Sequence, residues 1–186
     1  MRALVVYESM YGNTHAVAID IAAGLSATHE VTLVPVTRAA PELVAAADLL
    51  VVGGPTHMHG MSSAASRRSA AQTASKQGSG LTMDPDADGP GVRGWLAGIG
   101  AGEGLAAAFD TRLSGIPALT GRASRGISAL LRRRGYRLLA APESFLVSKQ
   151  NALLDGETAR ARSWGALLGE EARGAVVHAQ VPGGGT

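Results

Sequence analysis

Three short apolar segments, separated by stretches with helical periodicity, constrain the fold of this chain more than any other feature of its sequence. Residues 4–7, 31–36 and 49–54 are rich in Val and Leu, and the first and third end abruptly in polar residues or glycine. Continuous apolar runs of this length are typical of parallel strands that are buried on both faces. The short connections between them favour right-handed β-α-β crossovers. The first 55 residues therefore predict an open parallel sheet with helices on both faces.

The remainder of the chain continues this alternation more weakly. Further elements are predicted in chain order: a helix at 62–77, a surface loop at 79–94, a short helix at 92–99, a strand at 105–109, a helix at 123–134, an interrupted strand at 137–141 and 144–147, and a closing helix at 157–173. A chain of 186 residues can bury a core that needs no metal or disulfide. We expect one domain over residues 1–174 and a flexible tail over 175–186.

The composition excludes several kinds of chemistry. The chain has no cysteine, which rules out disulfides, thiolate nucleophiles, iron–sulfur clusters and Cys-ligated zinc, so redox chemistry would need a cofactor. A formal net charge of +2 is too even to indicate nucleic acid as a partner. No apolar stretch approaches the roughly 20 residues of a membrane span, and the apolar start is too short for a signal peptide. A cytoplasmic protein is therefore expected.

The first strand leads directly into a loop that suits an anion, formed by Ser9, Met10, Tyr11, Gly12, Asn13 and Thr14. A helix begins within this loop, and the unpaired N–H groups and the dipole of a helix N-terminus attract negative charge. Ser9, Asn13 and Thr14 add neutral donors, while Gly12 allows a tight backbone curl. The loop has neither a lysine nor the spacing of a Walker A motif or a dinucleotide fingerprint. It predicts a site for a phosphate monoester, with simple helix capping by Asn13 or Ser9 as the alternative.

The motif S-M-Y-G-N-T at residues 9–14 resembles the phosphate loop of the flavodoxin family, and its tyrosine is similar to that of flavodoxin-like NAD(P)H:quinone oxidoreductases. The resemblance implies FMN as the cofactor and a doubly wound α/β fold whose five parallel strands have the order 2-1-3-4-5. It also implies that FMN lies where strands one and three diverge. No residue is assigned a catalytic role, because the flavin carries the chemistry in such proteins.

A second loop follows the third strand and is similar to the family's loop beside the flavin ring; it comprises Pro55, Thr56, His57, Met58, His59 and Gly60. The resemblance implies that an imidazole or the Met58 thioether borders the ring, or that a histidine donates a hydrogen bond to a flavin heteroatom. The two histidines form an H-x-H pair, which also occurs in metal sites. Because no Asp, Glu or further His lies nearby in the sequence, no metal ligand is predicted.

A third loop is expected after the fourth strand, at Phe109, Asp110, Thr111 and Arg112. This segment departs from the acidic Gly-Asp loop and the stacking tyrosine that the family commonly has here. The hypothesis is that Asp110 and Thr111 face the pyrimidine edge of the flavin and that Arg112 faces the region around N1, where negative charge develops on reduction. The alternative for Asp110 is a structural cap or turn. Trp95 is a further candidate for contact with the flavin ring, whereas Trp164 is expected in the core.

These features together favour an FMN-binding, flavodoxin-like redox protein. Electrons are expected to come from NAD(P)H or a partner reductase and to pass to a quinone or a protein acceptor. Both an oxidoreductase and a non-enzymatic electron carrier fit this description. The alternative is a flavodoxin-like interaction or signalling module that has lost its flavin. The sequence leaves the oligomeric state open.

Overall fold

The computed structural model of the protein describes residues 1–87 and 89–180. Its strands are β1 (Arg2–Tyr7), β2 (Glu30–Pro35), β3 (Leu49–His57), β4 (Gly60–Met61), β5 (Leu105–Leu113), β6 (Arg137–Leu138) and β7 (Glu143–Val147). Its helices are α1 (Asn13–Leu25), α2 (Pro41–Ala46), α3 (Ala64–Ala74), α4 (Val92–Gly98), α5 (Pro117–Thr120), α6 (Ala123–Arg133) and α7 (Glu157–Gln180). Strands and helices alternate from β1 to β3, as the apolar pattern predicts.

The strands form one sheet in the order β2-β1-β3-β5-β6, and β7 pairs with the far half of β5. All pairings along this path are parallel. At its centre β1 and β3 lie side by side, with Ala3 opposite Leu49 and Tyr7 opposite Gly53. The short strand β4 pairs antiparallel with the end of β3. The predicted doubly wound order 2-1-3-4-5 is confirmed; β4 is an addition, and the interrupted fifth strand corresponds to β6 and β7.

The two faces of the sheet carry separate apolar cores, because successive residues of a strand point to opposite sides. On one face, Val5 and Tyr7 of β1 pack in a core that includes side chains of α1 and α7. On the other face, Leu4 and Val6 pack with side chains of α4 and α6. Trp164 of α7 packs edge to face against two phenylalanines of the first core, which confirms its predicted place there.

Strands β3 and β5 are longer than the apolar pattern predicts. β3 continues to His57 and β5 continues to Leu113. Their far halves pair with each other, and β5 also pairs with β7 over residues 109–113. The expectation of a loop at 109–112 is therefore wrong, because backbone pairing on both sides keeps this polar segment extended. The expected loop at 55–60 is likewise a β-hairpin, formed by the end of β3 and by β4.

The last elements of the chain follow the prediction in part. β6 and β7 are the two halves of the interrupted strand that the sequence predicts. Helix α7 continues to Gln180, so residues 175–180 are helical and the predicted helix end at 173 is wrong. Residues 181–186 lie outside the described part of the chain, and the domain boundary at 174 stays a prediction. Over residues 1–87 and 89–180, no helix combines the length and the apolar character needed to cross a membrane.

Gly53 is where the backbone of β3 and the ring of Phe109 come closest. A Cβ at Gly53 would overlap this ring, whereas a Cβ at the neighbouring Gly54 would have no atom nearer than 3.8 Å. We expect Gly53→Ala to lower the free energy of unfolding by about 1–3 kcal/mol, the usual cost of overpacking a core. Gly54→Ala is the matched control and should change it far less. Urea denaturation measures both values, and equal stability of the two variants would contradict this packing.

Candidate functional site

A cavity of about 370 Å³ opens at the edge of the sheet where the carboxyl ends of β1, β3 and β5 meet. Ligand pockets commonly have volumes of roughly 300–1,000 Å³, and open α/β sheets bind ligands at this edge. The predicted site residues that line it are Met10, Tyr11, Asn13, Thr14, Pro55, Thr56, His57, Met58, Thr111 and Arg112. The predicted residues that do not line it are Ser9, Gly12, His59, Gly60, Phe109 and Asp110. Lining residues that were not predicted are Leu81, Leu113, Val147, Ser148, Lys149 and Asn151.

The loop at residues 9–14 has a backbone suited to an anion. Gly12 adopts a φ of +90°, in the left-handed region that favours glycine, and its N–H donates to Ser9 Oγ at 3.1 Å. Helix α1 begins at the next residue, with no side-chain cap and no acidic residue in its first turn. Its N-terminus therefore keeps the unpaired donors and the positive dipole end that attract phosphate. The alternative, that Asn13 or Ser9 caps this helix, is not what the structure shows.

Two polar side chains of this loop are bonded to neighbouring segments. Thr14 Oγ1 lies 2.7 Å from Thr111 Oγ1 of β5, and the pair is buried. Asn13 Nδ2 donates to the main-chain oxygen and to Oδ1 of Asn151, both at 3.0 Å. The loop is thus held to β5 and to the turn after β7. Main-chain N–H groups of the first helical turn, rather than these side chains, remain for a ligand.

Residues 79–87, predicted as a surface loop, pack against the phosphate loop. The Asp84 N–H donates to the Met10 carbonyl at 2.7 Å. The Asp84 carboxylate is buried and lies 3.3 Å from Nδ1 of His15 in α1. Leu81 of the same segment lines the cavity. The segment therefore contributes one wall of the cavity, a role that its Gly, Pro and Asp content did not indicate.

The hairpin between β3 and β4 turns at Met58 and His59, which have φ values of +46° and +71°. Two-residue hairpins with positive φ favour Asn and Gly, so these bulky residues store backbone strain. His59 is paired with Gly121 in an isolated bridge. A Cβ at Gly121 would overlap the main chain of His59, so the contact requires glycine there. This turn leaves Met58 89% exposed beside the cavity.

His57 and Tyr11 supply the rings that line the cavity. Burial lowers the pKa of His57 and nearby Glu8 opposes this in part, which favours the neutral imidazole. The Tyr11 hydroxyl donates to a carbonyl of α3 at 3.1 Å, which orients its ring. Trp95 lies elsewhere, with its indole N–H donating to the carbonyl of Ala39 at 3.0 Å. The structure therefore contradicts Trp95 as a ring contact.

Thr56 and Asp110 accept hydrogen bonds from main-chain N–H groups at the N-terminus of α6. Thr56 Oγ1 accepts from the Ala123 N–H at 2.9 Å, and Asp110 Oδ2 accepts from the Ser124 N–H at 2.7 Å. Asp110 is fully buried, so the structure supports the capping alternative rather than contact with the flavin edge. Phe109 is also fully buried, as part of the core beneath α1 and α7. Neither residue is positioned to touch a ligand in the cavity.

Arg112 lines the cavity while supporting the segment that follows β5. Its Nη1 donates to the carbonyls of Leu113 and Gly115 and lies 3.0 Å from the Thr120 hydroxyl. Its Nε is buried and has no hydrogen-bond partner among the described residues. The guanidinium thus shapes the turn that leads to α5. Its approach to N1 of a flavin stays a prediction.

Glu8 is a buried carboxylate at the end of β1 whose role no sequence motif marks. It accepts a hydrogen bond from the Ser62 hydroxyl and another from the Val92 N–H at 2.8 Å. The Arg67 guanidinium of α3 lies 4.0 Å away. Glu8 therefore ties the start of the phosphate loop to the chain after the hairpin and to the first turn of α4.

A larger cavity, of about 830 Å³, lies at the opposite end of the sheet, where β3 and β5 begin. It is lined mainly by small and apolar residues of segments 39–47 and 98–104, together with Trp95 and Tyr136. Size alone does not make it the functional site, because ligands of open α/β sheets bind at the carboxyl ends of the strands. The N-terminus of α1 opens beside the smaller cavity, which is the candidate site.

In the described part of the chain, the fold brings no further metal ligand to the H-x-H pair. Over residues 1–87 and 89–180, no three His, Asp or Glu side chains are grouped so that they could hold a metal ion. Within the pair, His57 lines the cavity and His59 does not.

Replacing Asp110 by Asn tests the energetics of its buried carboxylate. Burial raises the pKa of Asp110, and hydrogen bonds from Ser124 offset only part of this rise. A carboxyl group whose pKa is higher in the folded protein than in the unfolded chain makes its full contribution to the free energy of unfolding below its unfolded pKa, about 3.9. This contribution is lost as the pH rises through the folded pKa. Since Asn cannot ionise but can still accept from Ser124, Asp110→Asn should gain stability relative to wild type between pH 4 and 7. Urea denaturation across this range measures the difference, with the exposed Asp155→Asn as control; a pH-independent difference would contradict it.

Comparison with known proteins identifies the family. The family model described as Flavodoxin matches residues 5–113, more than half of the chain. A flavodoxin from the domain Archaea is 19% identical with a TM-score of 0.64, over 93% of this chain and 99% of that chain. Flavodoxin 2 from Bacillus cereus is 22% identical with a TM-score of 0.61, over 92% and 99%. Rubredoxin oxygen:oxidoreductase from Desulfovibrio gigas is 15% identical with a TM-score of 0.62, over 94% of this chain and 37% of that chain.

A search of curated proteins found no match. The FMN predicted from the sequence is the cofactor of flavodoxins. The match over the first strand, the phosphate loop and the two central strands shows that this chain belongs to the flavodoxin family.

Proposed function

We propose that the protein binds FMN in the smaller cavity and transfers electrons from NAD(P)H or a partner reductase to a quinone or a protein acceptor in the cytoplasm. The observation that carries this proposal is the N-terminus of α1, which follows Gly12 without a side-chain cap and opens beside the cavity. A phosphate monoester matches the charge and the donors of such a terminus. FMN would supply the redox chemistry that a chain without cysteine lacks.

Three other helices, α3, α4 and α6, receive side-chain acceptors from the protein itself, whereas α1 receives none from the residues that the structure describes. Thr56 and Asp110 accept from the first turn of α6, Glu8 accepts from the Val92 N–H of α4, and Ser63 caps α3. For α1, no such acceptor lies among the described residues. Buried or partly buried N–H groups in proteins are almost always paired. An acceptor on a bound ligand would therefore pair the N–H groups of the first turn of α1.

The remaining lining suits the other parts of FMN. The lining residues that the structure describes include no carboxylate that would repel a phosphate or a reduced, anionic flavin. We assign the phosphate to the loop at 9–14 and the ring to the side of the cavity formed by His57, Met58 and Thr111. The neutral imidazole of His57 can donate or accept one hydrogen bond there. Met58 offers a polarizable apolar contact.

An exposed apolar rim supports an apolar electron acceptor. Met58 and Leu113 line the cavity, and Ile116 and Leu119 lie on the segment that follows; all four side chains are exposed. The bridge between His59 and the residue after α5 joins the hairpin to this segment. Clusters of exposed apolar residues mark contacts with apolar ligands or proteins. A quinone, or a protein with an apolar docking face, fits this rim.

The second candidate is an interaction or signalling module without flavin. It is favoured by the internal bonding of the phosphate loop, whose Asn13 and Thr14 side chains pair with Asn151 and Thr111. It is also favoured by the modest number of aromatic residues, 4% of the chain. Purification of the protein with bound yellow flavin, or reconstitution of the apoprotein with FMN, would support the redox function. Failure of the protein to bind FMN would support the module without flavin.

Thr14→Val tests the phosphate loop. The Thr14 hydroxyl is paired with that of Thr111, so its loss should loosen the first turn of α1 where the phosphate would bind. We expect the affinity of the apoprotein for FMN to fall by up to about 1–3 kcal/mol, the cost of leaving a buried hydrogen-bond partner such as the Thr111 hydroxyl unpaired. Fluorescence titration with FMN measures the affinity. Thr32→Val, on the exposed side of β2, is the matched control, and unchanged affinity of the Thr14 variant would contradict the assignment.

Leu119→Ser tests the apolar rim. For FMN-loaded protein that oxidises NAD(P)H, the KM for a quinone should rise several-fold, since partial burial of a Leu side chain contributes on the order of 1 kcal/mol. The rate with ferricyanide, a small anion, should stay the same. Leu167→Ser is the control, because Leu167 is similarly exposed but lies on α7. Equal quinone KM values for the two variants would exclude the rim as the acceptor site.

A further inference from the structure

The turn that follows β7 is a well-defined structure beside the candidate site. The Ser148 N–H donates to the Ala152 carbonyl at 2.8 Å, and the Asn151 N–H donates to the Ser148 carbonyl at 3.1 Å. Ser148 Oγ accepts from the N–H groups of Gln150 and Ala152 at 3.2 and 3.3 Å. Asn151 closes the turn with a φ of +59°. These bonds fix the backbone on both sides of Lys149.

The same turn is attached to the phosphate loop. Asn13, the first residue of α1, donates from Nδ2 to both oxygens of Asn151 at 3.0 Å. Lys149 is two residues from this contact and lines the cavity together with Asn13 and Thr14. Its side chain is exposed. The fold therefore brings a flexible cation to the cavity wall next to the N-terminus of α1.

Lys149 is the available positive charge in this cavity. Among the described residues, the lining holds two cationic side chains, Lys149 and Arg112, and no carboxylate. Arg112 is 9% exposed, and its Nη1 is bonded to three oxygens of its own segment. Lys149 has no ion pair or hydrogen bond from its ammonium group within residues 1–87 and 89–180. An exposed ammonium on a four-carbon stem can move to meet an anion.

We propose that Lys149 is the cationic ligand of the FMN phosphate and makes the cavity select phosphorylated flavin over riboflavin. The assignment rests on the proposed function. A phosphate monoester carries a charge of about −1.5 to −2 at pH 7, whereas the loop at 9–14 offers it only neutral donors. A lysine acts on phosphate as a point charge, which adds to main-chain hydrogen bonds rather than replacing them. Riboflavin has the same ring and ribityl chain but lacks the phosphate, so it gains nothing from this charge.

The chain offers a matched control, because its two lysines are Lys76 and Lys149. Lys76 follows α3 and does not line the cavity. Full-length apoprotein is titrated with FMN and with riboflavin, for wild type, Lys149→Met and Lys76→Met, by quenching of flavin fluorescence. Lys149→Met should weaken FMN binding by about tenfold or more and leave riboflavin binding within about twofold. Lys76→Met should change neither, and Lys149→Arg should keep most of the FMN affinity.

Ionic strength provides a second readout that a purely structural role would not affect. Salt screens an exposed charge pair, so added salt should weaken FMN binding to wild type more than to Lys149→Met. Riboflavin binding should respond to salt equally in both proteins. Identical salt responses of wild type and variant toward FMN would overturn the assignment.

The results of these titrations distinguish an error in the role assigned to Lys149 from an error in the proposed FMN-binding function. Equal loss of FMN and riboflavin affinity in Lys149→Met would overturn it, because Lys149 would then act on the shared ring or on the turn. A ratio of FMN to riboflavin affinity that is the same in Lys149→Met as in wild type would overturn it while leaving FMN binding intact. If wild type binds neither flavin, both the proposed function and the role of Lys149 are wrong.

Discussion

The parallel pairing of β1 with β3 is the interaction on which the rest of the structure depends. It sets Tyr7 opposite Gly53, and one residue further the Glu8 N–H donates to the Gly53 carbonyl at 3.0 Å. The phosphate loop and the hairpin therefore leave the sheet side by side. Because Gly53 has no side chain, the ring of Phe109 fits against β3 at the same level. A one-residue slip would turn each buried side chain to the other face, so the pairing determines both cores and the position of the site.

Buried acceptors determine which helix N-terminus is available to a ligand. Glu8 and Asp110 are buried carboxylates, and each accepts from an N–H in the first turn of a helix, α4 or α6. The positive end of a helix dipole and a direct hydrogen bond both stabilise such a carboxylate. Since neither carboxylate lines the cavity, and none of the described lining residues is a carboxylate, the unpaired N–H groups of α1 add to the positive charge of Arg112 and Lys149 there. The arrangement suits the cavity to an anion, as the proposed function requires.

Backbone strain is concentrated around the same cavity. In the described part of the chain, the non-glycine residues with positive φ are Met58, His59 and Asn151. The first two form the turn of the hairpin and the third closes the turn after β7, and both turns border the cavity. Strained residues persist where surrounding structure holds them, which is common at binding sites. Here the holding contacts are the bridge from His59 to Gly121 and the hydrogen bonds from Asn13 to Asn151.

The sequence by itself determined the features whose information is local. The apolar runs at 4–7 and 49–54 were sufficient to predict buried parallel strands. The motif at 9–14 was sufficient to place a tight loop before α1, and its role as a phosphate loop stays a prediction. Only the tertiary structure decided that Asp110 caps α6 rather than facing a ligand, and that Lys149 lies beside the start of α1. The physical reason is that strand pairing and capping depend on which groups meet in space: Asn13 and its partner Asn151 are 138 residues apart. Local propensity carries no information about such contacts, whereas backbone pairing on both sides of β5 can keep even a polar segment extended.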